Sequence, residues 1–339
     1  AVTRFIPVAR ISDMLLNPGQ SYEYDGERYS YPDIRMLYWA GGNAFHHQQD
    51  INKLIGAWRR PEVVVVHEAY WTAQAKFADI VLPATTMVER DDIGSASGDG
   101  FMTAMKQVVP PFGESLDDYA IFARIAAKLG GERQFTEGRS VREWLHHLYD
   151  ESIGRARETG VELPPFDEFW EAGHIEYALP EQQNVLLSDF RADPAAHPLS
   201  TPSGRIELYS EKLAAFAYEE WTGHPAWLPS EEFLGGPRAV QFPLHMLSNQ
   251  PASRLHSQYD HGVVSQASKI SGREPMKMNS QDAAARGIRS NDVVKVFNDR
   301  GAMLAGAVVT DSVRTGVVQI ATGAWYAPAP PTTVVSTVG

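Results

Sequence analysis

Apolar residues along this chain change their spacing three times, and each change predicts a different kind of element. In the first 35 residues, ARISDMLL carries a helical repeat that stops at Asn17-Pro18-Gly19. YEYDGERYSYP then sets Asp25-Gly26 between aromatic arms, the signal of a hairpin with a type I′ turn. From Ile34 strand and helix patterns alternate. MLYWA reads as a strand, and after it Ile51, Leu54, Ile55 and Trp58 fall at i, i+3, i+4 and i+7, one buried helix face. EVVVVHE is an unbroken apolar run, the pattern of a parallel strand covered on both faces. A short helix, WTAQAKFA, leads to a second buried strand, DIVLPA. Ser115 and Asp118 then cap a helix whose Ile121, Phe122, Ile125 and Leu129 share a face, ending at Gly130-Gly131. The alternation predicts a doubly wound α/β layer over residues 36–135, entered from a helix-and-hairpin segment, 1–35.

Residues 136–237 are less regular. Ser140 and Glu143 form a capping box ahead of VREWLHHLYDES, and Pro-, Trp- and Phe-containing loops follow, so this region reads as a connector packed on the layer. From about Arg238 the texture turns to β. FPLHMLSN and VVQIATGAW read as strands, and SQDAAARG is a short helix capped by Ser280 or Asp282 and closed by Gly287. VVKVFNDRGAMLAGAVVT is a hairpin turning at Asn298–Gly301. Short strands with a single small helix predict a compact β-barrel over 238–339.

The chain has 339 residues, 43% hydrophobic, enough for two or three domains with real cores. A net charge of −12 without a basic run argues against nucleic-acid binding. No cysteine is present, which excludes disulfides and thiolate chemistry within these residues. No apolar run approaches the roughly 18 residues of a membrane span. AVTRFIPVAR lacks the regions of a signal peptide, and APAPPTTVVSTVG reads as a linker, so both ends are expected to be interior to a longer chain.

In a parallel sheet, ligands bind where strand carboxyl ends turn into helices. Gly41-Gly42-Asn43, between MLYWA and a helix carrying His46 and His47, is such a place: glycines admit a phosphate, and the helix's first N–H groups point at it. Asn43 either caps that helix or bonds a ribose, and the bland reading is a tight turn without a ligand. His67 and Glu68 leave EVVVVHE at the same edge and suit a nucleobase or pterin, or merely cap a loop. Asp79, opening DIVLP, is expected at that edge too, or capping a turn. His46-His47 and His146-His147 are poor metal pairs, since neighbours on a helix point about 100° apart. GSASGDG lacks the Lys-Ser/Thr of a phosphate loop and reads as a surface loop. SNQPASRLHSQ packs Ser248, Asn249, Gln250, Arg254, His256, Ser257 and Gln258 into one irregular stretch; Arg254 suits a phosphate, against the alternative of a plain polar loop.

These pieces in this order resemble the molybdenum oxidoreductases of the dimethyl-sulfoxide reductase type. The matching residues are LYWAGGNAFHHQQD, VVVHEAYWTAQAKFADIVLPATTMVERDDI, SNQPASRLHSQ, SGREP, DAAARGI, VVKVFNDRG and GAWY. SNQPASRLHSQYDHG, SKISGREP and VFNDRGAMLAG look most like the biotin-sulfoxide and trimethylamine-N-oxide reductase branch. The resemblance implies an α/β layer, an irregular connector and a C-terminal double-psi β-barrel, incomplete here because its last strand is missing. It implies bis-molybdopterin guanine dinucleotide with molybdenum, and an S-oxide or N-oxide substrate. Carried over, Gly41, Gly42, Asn43, His47 and Gln49 line one pterin dinucleotide. His67, Glu68 and Asp79 surround the nucleotide end, and the run from Ser248 to Gln258 grips the other pterin and its pyrophosphate.

Two departures are Glu68, where relatives often have Asp, and Ala327, where many have Asp after the Trp-Tyr pair. Family members exceed twice this length, and their molybdenum-ligating serine lies in an N-terminal half that this chain lacks. No catalytic residue or metal ligand is therefore expected here, and residues 1–339 alone are expected not to turn over an oxide. The electron donor and compartment stay open. The alternatives are a non-catalytic nucleotide-binding or assembly module, or a formate or nitrate branch of the same family.

Overall fold

The computed structural model describes residues 5–96, 100–177 and 185–328. Strands β1 (Ser21–Tyr24) and β2 (Glu27–Ser30) pair antiparallel, and the positive φ of Asp25 (51°) and Gly26 (80°) gives the expected primed turn. Strands β3 (Met36–Ala40), β4 (Val63–Glu68) and β5 (Ile80–Pro83) form a parallel sheet in the order β3-β4-β5. Side chains alternate across it. Leu37, Val64 and Val66 face Leu54, Ala57 and Trp58 of the helix Ile51–Trp58, in a core that reaches back to Met14, Leu15 and Tyr22. On the opposite face Tyr38 and His67 pack against Phe122 of the helix Asp118–Lys128.

Strands β6 (Asp92–Ser95), β7 (Phe101–Met105) and β8 (His174–Glu176) make an antiparallel sheet. The long helix Val141–Glu158 starts at the expected Ser140/Glu143 capping box. Its Leu145 and Tyr149 bury with Phe166, Phe169 and Trp170 of the next helix, against Ala104 of β7. The connecting segment therefore shares a core with β6 and β7.

The last sheet is mixed and curled into a half-barrel. Strands β9 (His245–Leu247), β10 (Pro275–Met278), β11 (Val293–Phe297), β12 (Ala302–Val309) and β13 (Val317–Ile320) run in the order β11-β12-β10-β13-β9. β11 and β12 form the expected hairpin, whereas β10 pairs parallel to β12 and β13 parallel to β9. Met276, Met278, Ala283, Ala305, Val318 and Ile320 fill its inner face. In β12 the buried residues are Ala305, Gly306 and Ala307, and a Cβ on Gly306 would lie 2.3 Å from the Cβ of Ile270.

The caps differ from the sequence reading. The helix Asp118–Lys128 is capped by Asp117, whose Oδ1 accepts from the Ala120 N–H at 2.7 Å, rather than by Ser115 or Asp118. Asn279 caps the helix Ser280–Ala284 in place of Ser280 or Asp282. Two capping-type residues in succession leave the choice to tertiary geometry. Leu129, expected on the buried face, closes its helix in solvent at 81% exposure. Of the GSASGDG run, Gly94 and Ser95 lie in β6; its residues 97–99, like the tail 329–339, fall outside the described residues. Among the described residues no helix is long and apolar enough to cross a membrane.

Leu54 is fully buried between the helix and β4, so Leu54→Ala removes packing that the sheet cannot refill. It is expected to lower stability by about 2–5 kcal/mol, read as a fall in the urea midpoint at unchanged m-value.

Candidate functional site

β3 ends at Gly41 and Gly42, whose φ angles of 82° and 73° belong to the left-handed region that a Cβ disfavours. Both are exposed, and nothing stands within 4 Å of a Cβ built on Gly41, so the turn offers bare backbone to a large ligand. Asn43 proves to be the cap of the following helix, Ala44–His47: its Oδ1 accepts from the Phe45 N–H at 3.1 Å. The Ala44 N–H donates to the buried Gln74 Oε1 at 2.6 Å. Two of the helix's first N–H groups are therefore committed within the protein, contrary to the expectation that they await a phosphate. Past the turn, His47 and Gln49 are exposed.

The register aligns Ala40 with His67 and Glu68 with Pro83, so the glycine turn, His67 and Glu68 share the carboxyl edge of the sheet. Asp79 does not. It precedes β5, whose Ile80 is level with Val65, and its Oδ2 accepts from the Val64 N–H at 2.8 Å. The expectation that it joins that edge is corrected: β5 runs parallel to β4, so a residue at its start lies at the amino edge. His67 is present at the edge but its side chain is only 1% exposed. Its Nε2 bonds the Tyr38 hydroxyl at 2.6 Å and its Nδ1 bonds Asp118 at 2.7 Å, so both nitrogens are occupied. Glu68 accepts from the Ala69 N–H and the Thr72 hydroxyl; burial nevertheless raises its pKa, outweighing those bonds.

The second site region follows β9. Ser248, Asn249, Gln250, His256 and Gln258 are exposed and Ser257 is half-buried, forming a row of hydrogen-bond donors and acceptors. Gln250 closes the loop on His256, its Nε2 lying 2.9 Å from Nδ1 and its Oε1 accepting from the His256 N–H at 3.2 Å. Arg254 departs from its expected role as a phosphate ligand. Its side chain is 0% exposed and donates to the His256 carbonyl (3.1 Å), Ser265 Oγ (3.1 Å) and the Thr322 carbonyl (2.9 Å). It pairs with Asp260 (3.4 Å) and Glu274 (3.2 Å), and Lys269 bonds the same two carboxylates at 2.6 and 2.9 Å. Two cations thus neutralise two carboxylates out of water. Burial acts to raise the Asp260 pKa, but the Lys269 hydrogen bond, the Trp325 N–H and the charges of Lys269 and Arg254 leave it lowered.

The two regions meet. The rings of His47 and His256 lie 6.1 Å apart, Tyr70 packs on His261 at 4.6 Å, and His261 on Trp325 at 4.8 Å. His46 lies along Trp325 and its Nε2 accepts from the Tyr326 N–H at 3.4 Å. Asp260, Lys269, Glu274, His46 and Trp325 are not legible in the sequence as site residues, because no helix or strand repeat links them to their partners. The GAWY run was the one signal available for Trp325.

A parallel α/β sheet thus presents its glycine turn beside a polar loop of a curled β-sheet. Residues 14–128 match the molybdopterin oxidoreductase family model, and residues 244–337 match the molydopterin dinucleotide binding domain. The chain is 47% identical over 329 residues to the biotin sulfoxide reductase of Cereibacter sphaeroides, covering 97% of this chain and 44% of that protein. It is 45% identical to the dimethyl sulfoxide/trimethylamine N-oxide reductase of Rhodobacter capsulatus, covering 95% of this chain and 40% of the relative. Acetylene hydratase from Pelobacter acetylenicus superposes over 91% of this chain and 40% of its own, with a TM-score of 0.65 at 21% identity, which speaks to the fold alone. The chain belongs to the molybdopterin oxidoreductases. It spans less than half the length of these relatives.

Burial lowers the pKa of His46 from 6.5 to about 4; the Asp260 charge acts against this and His47 adds to it. The unfolded chain therefore binds the extra proton between those values while the folded chain does not, and stability rises with pH across that window. Acidification from pH 6.5 to about 4 is expected to lower the unfolding free energy, and His46→Gln to remove that part of the slope. Chemical denaturation of both proteins at a series of pH values checks it; identical slopes would contradict the assignment.

Proposed function

We propose that this chain is the cofactor-binding part of a molybdenum oxidoreductase that reduces S-oxides or N-oxides, of the biotin sulfoxide, dimethyl sulfoxide or trimethylamine N-oxide type. The observation that carries the reading is the approach of His47 to His256. It brings the glycine turn and the polar loop, one from each matched domain, onto a common surface. In this reading the parallel sheet is part of a doubly wound layer and the curled sheet part of a double-psi barrel, with boundaries near 36–135 and 238–339.

The residues fit bis-molybdopterin guanine dinucleotide in chemical kind. Pterin and guanine edges alternate N–H and C=O groups, and Asn249, Gln250, His256, Ser257 and Gln258 supply hydrogen-bond partners for both. Gly41 and Gly42 leave bare backbone where an extended ligand must lie close, with His47 and Gln49 beside it. Glu68 is the carboxylate available at the same edge for a guanine N–H group. His67 acts in support, holding Tyr38 and Asp118 in place under that edge.

When bound, the cofactor supplies two-electron oxygen-atom transfer. The net reaction takes the oxide, two electrons and two protons to the reduced product and water, the electrons arriving from an external donor. The residues of this chain bind and orient the dinucleotides and keep water from the buried side of the loop.

The test is the nucleotide and metal content of the purified full-length protein. Mild acid hydrolysis is expected to release about two GMP per molybdenum, and reduced viologen should drive reduction of at least one of the three oxides. Nucleotide-free protein would favour an assembly module; formate or nitrate turnover without oxide reduction would favour the other branch. Gly42→Val forces a branched side chain to φ of 73°, a strain of about 1–3 kcal/mol, and is expected to reduce the guanine-nucleotide content of the isolated protein.

A further inference from the structure

The polar loop carries its own scaffold. Chains that present ligand groups on irregular backbone usually belong to the least stable part of a fold. Here two residues of opposite charge, Arg254 and Asp260, lie six apart and enclose His256, Ser257 and Gln258. Both are buried in one ion network with Lys269 and Glu274. Glu274 immediately precedes β10, so the network is rooted in the sheet. Its other arm grips the segment after β13: Arg254 donates to the Thr322 carbonyl, and Asp260 accepts from the Trp325 N–H at 3.0 Å. The same two strands of chain are stitched again by the Thr322 N–H to the Asn249 carbonyl (2.9 Å) and by Trp325 Nε1 to the Ser257 carbonyl (2.7 Å).

Gly323 lets them close. Its φ is 87°, and a Cβ there would lie 1.9 Å from the His256 carbonyl oxygen. Every one of these contacts is internal to the protein, and none needs a ligand to complete it. With its guanidinium fully buried and all three nitrogens engaged, Arg254 has no face left for a phosphate.

We propose that Arg254, Asp260, Lys269 and Glu274, closed over Gly323, form a clasp of positioning residues that sets the 248–258 loop in its ligand-ready shape before any dinucleotide binds. The inference rests on the cofactor reading above, since that reading makes the exposed side chains of this loop the gripping groups. Pre-setting them removes the ordering cost that binding would otherwise carry, so the clasp governs how long the dinucleotide stays rather than which one is chosen.

Hydrogen exchange of the cofactor-free full-length protein tests the clasp without involving the ligand. In the unmodified protein, amides of 249–258 and 322–325 are expected to be protected like those of β10 and β13. Arg254→Lys keeps the charge but not the fork of donors, and Gly323→Ala keeps every charge but blocks the approach. Both should lower protection of those two segments about tenfold or more, leaving β3–β5 unchanged, and speed guanine-nucleotide release from loaded protein about 10–100-fold. If Arg254→Lys does not fold, Glu274→Gln, of the same shape, gives the same readout. Free exchange of the loop in the unmodified cofactor-free protein would overturn the proposal. So would a variant that loses nucleotide faster while its loop stays protected, the result expected of a direct phosphate ligand. The nucleotide content of the unmodified protein judges the cofactor reading separately.

Discussion

Four buried charges hold the C-terminal half of this structure in register. An ion pair taken out of water is costly, and it persists only where each charge finds several partners. Arg254, Lys269, Asp260 and Glu274 meet that condition among themselves and with Ser265, the His256 and Thr322 carbonyls and the Trp325 N–H. The loop after β9, the start of β10 and the segment after β13 are separate in sequence, and the network is where they become one surface. That surface in turn meets the α/β layer through Trp325, Tyr326 and His46. The candidate site depends on this chain of contacts more than on any residue that would touch a ligand.

Local pattern made much of the fold legible. An unbroken run of four valines can only be a strand covered on both faces, and Asp25-Gly26 between aromatic arms can hardly be anything but a primed turn. Helix caps were less readable, because Asp117 beside Asp118, or Asn279 beside Ser280, satisfy the same local chemistry. The edge at which Asp79 stands depends on strand direction rather than on local chemistry. Asp79 stands at the start of β5 and Glu68 closes β4, and in a parallel sheet the start of one strand and the end of the next lie at opposite edges.

Arg254 shows a deeper limit. An arginine amid Asn, Gln, His and Ser suggests an anion site by composition, and the family resemblance pointed the same way. What decides its role is whether carboxylates from elsewhere reach it first. Asp260 and Glu274 do, at separations in sequence that no periodicity links. His67 is similar in kind: its edge position followed from the strand pattern, but the Tyr38 and Asp118 bonds that occupy both nitrogens did not. Sequence locates the candidate groups, and the competition among them for partners is settled only in three dimensions.

The small residues of β12 carry one more consequence. Ala305, Gly306 and Ala307 sit inside the curled sheet, with β10 on one side, β11 on the other and Ile270 lying across Gly306. Volume there can be neither added nor usefully taken away. The strand is thus a fixed gauge for the spacing of its neighbours, and variation that reshapes the ligand loops has to accumulate around it, in the connections between strands.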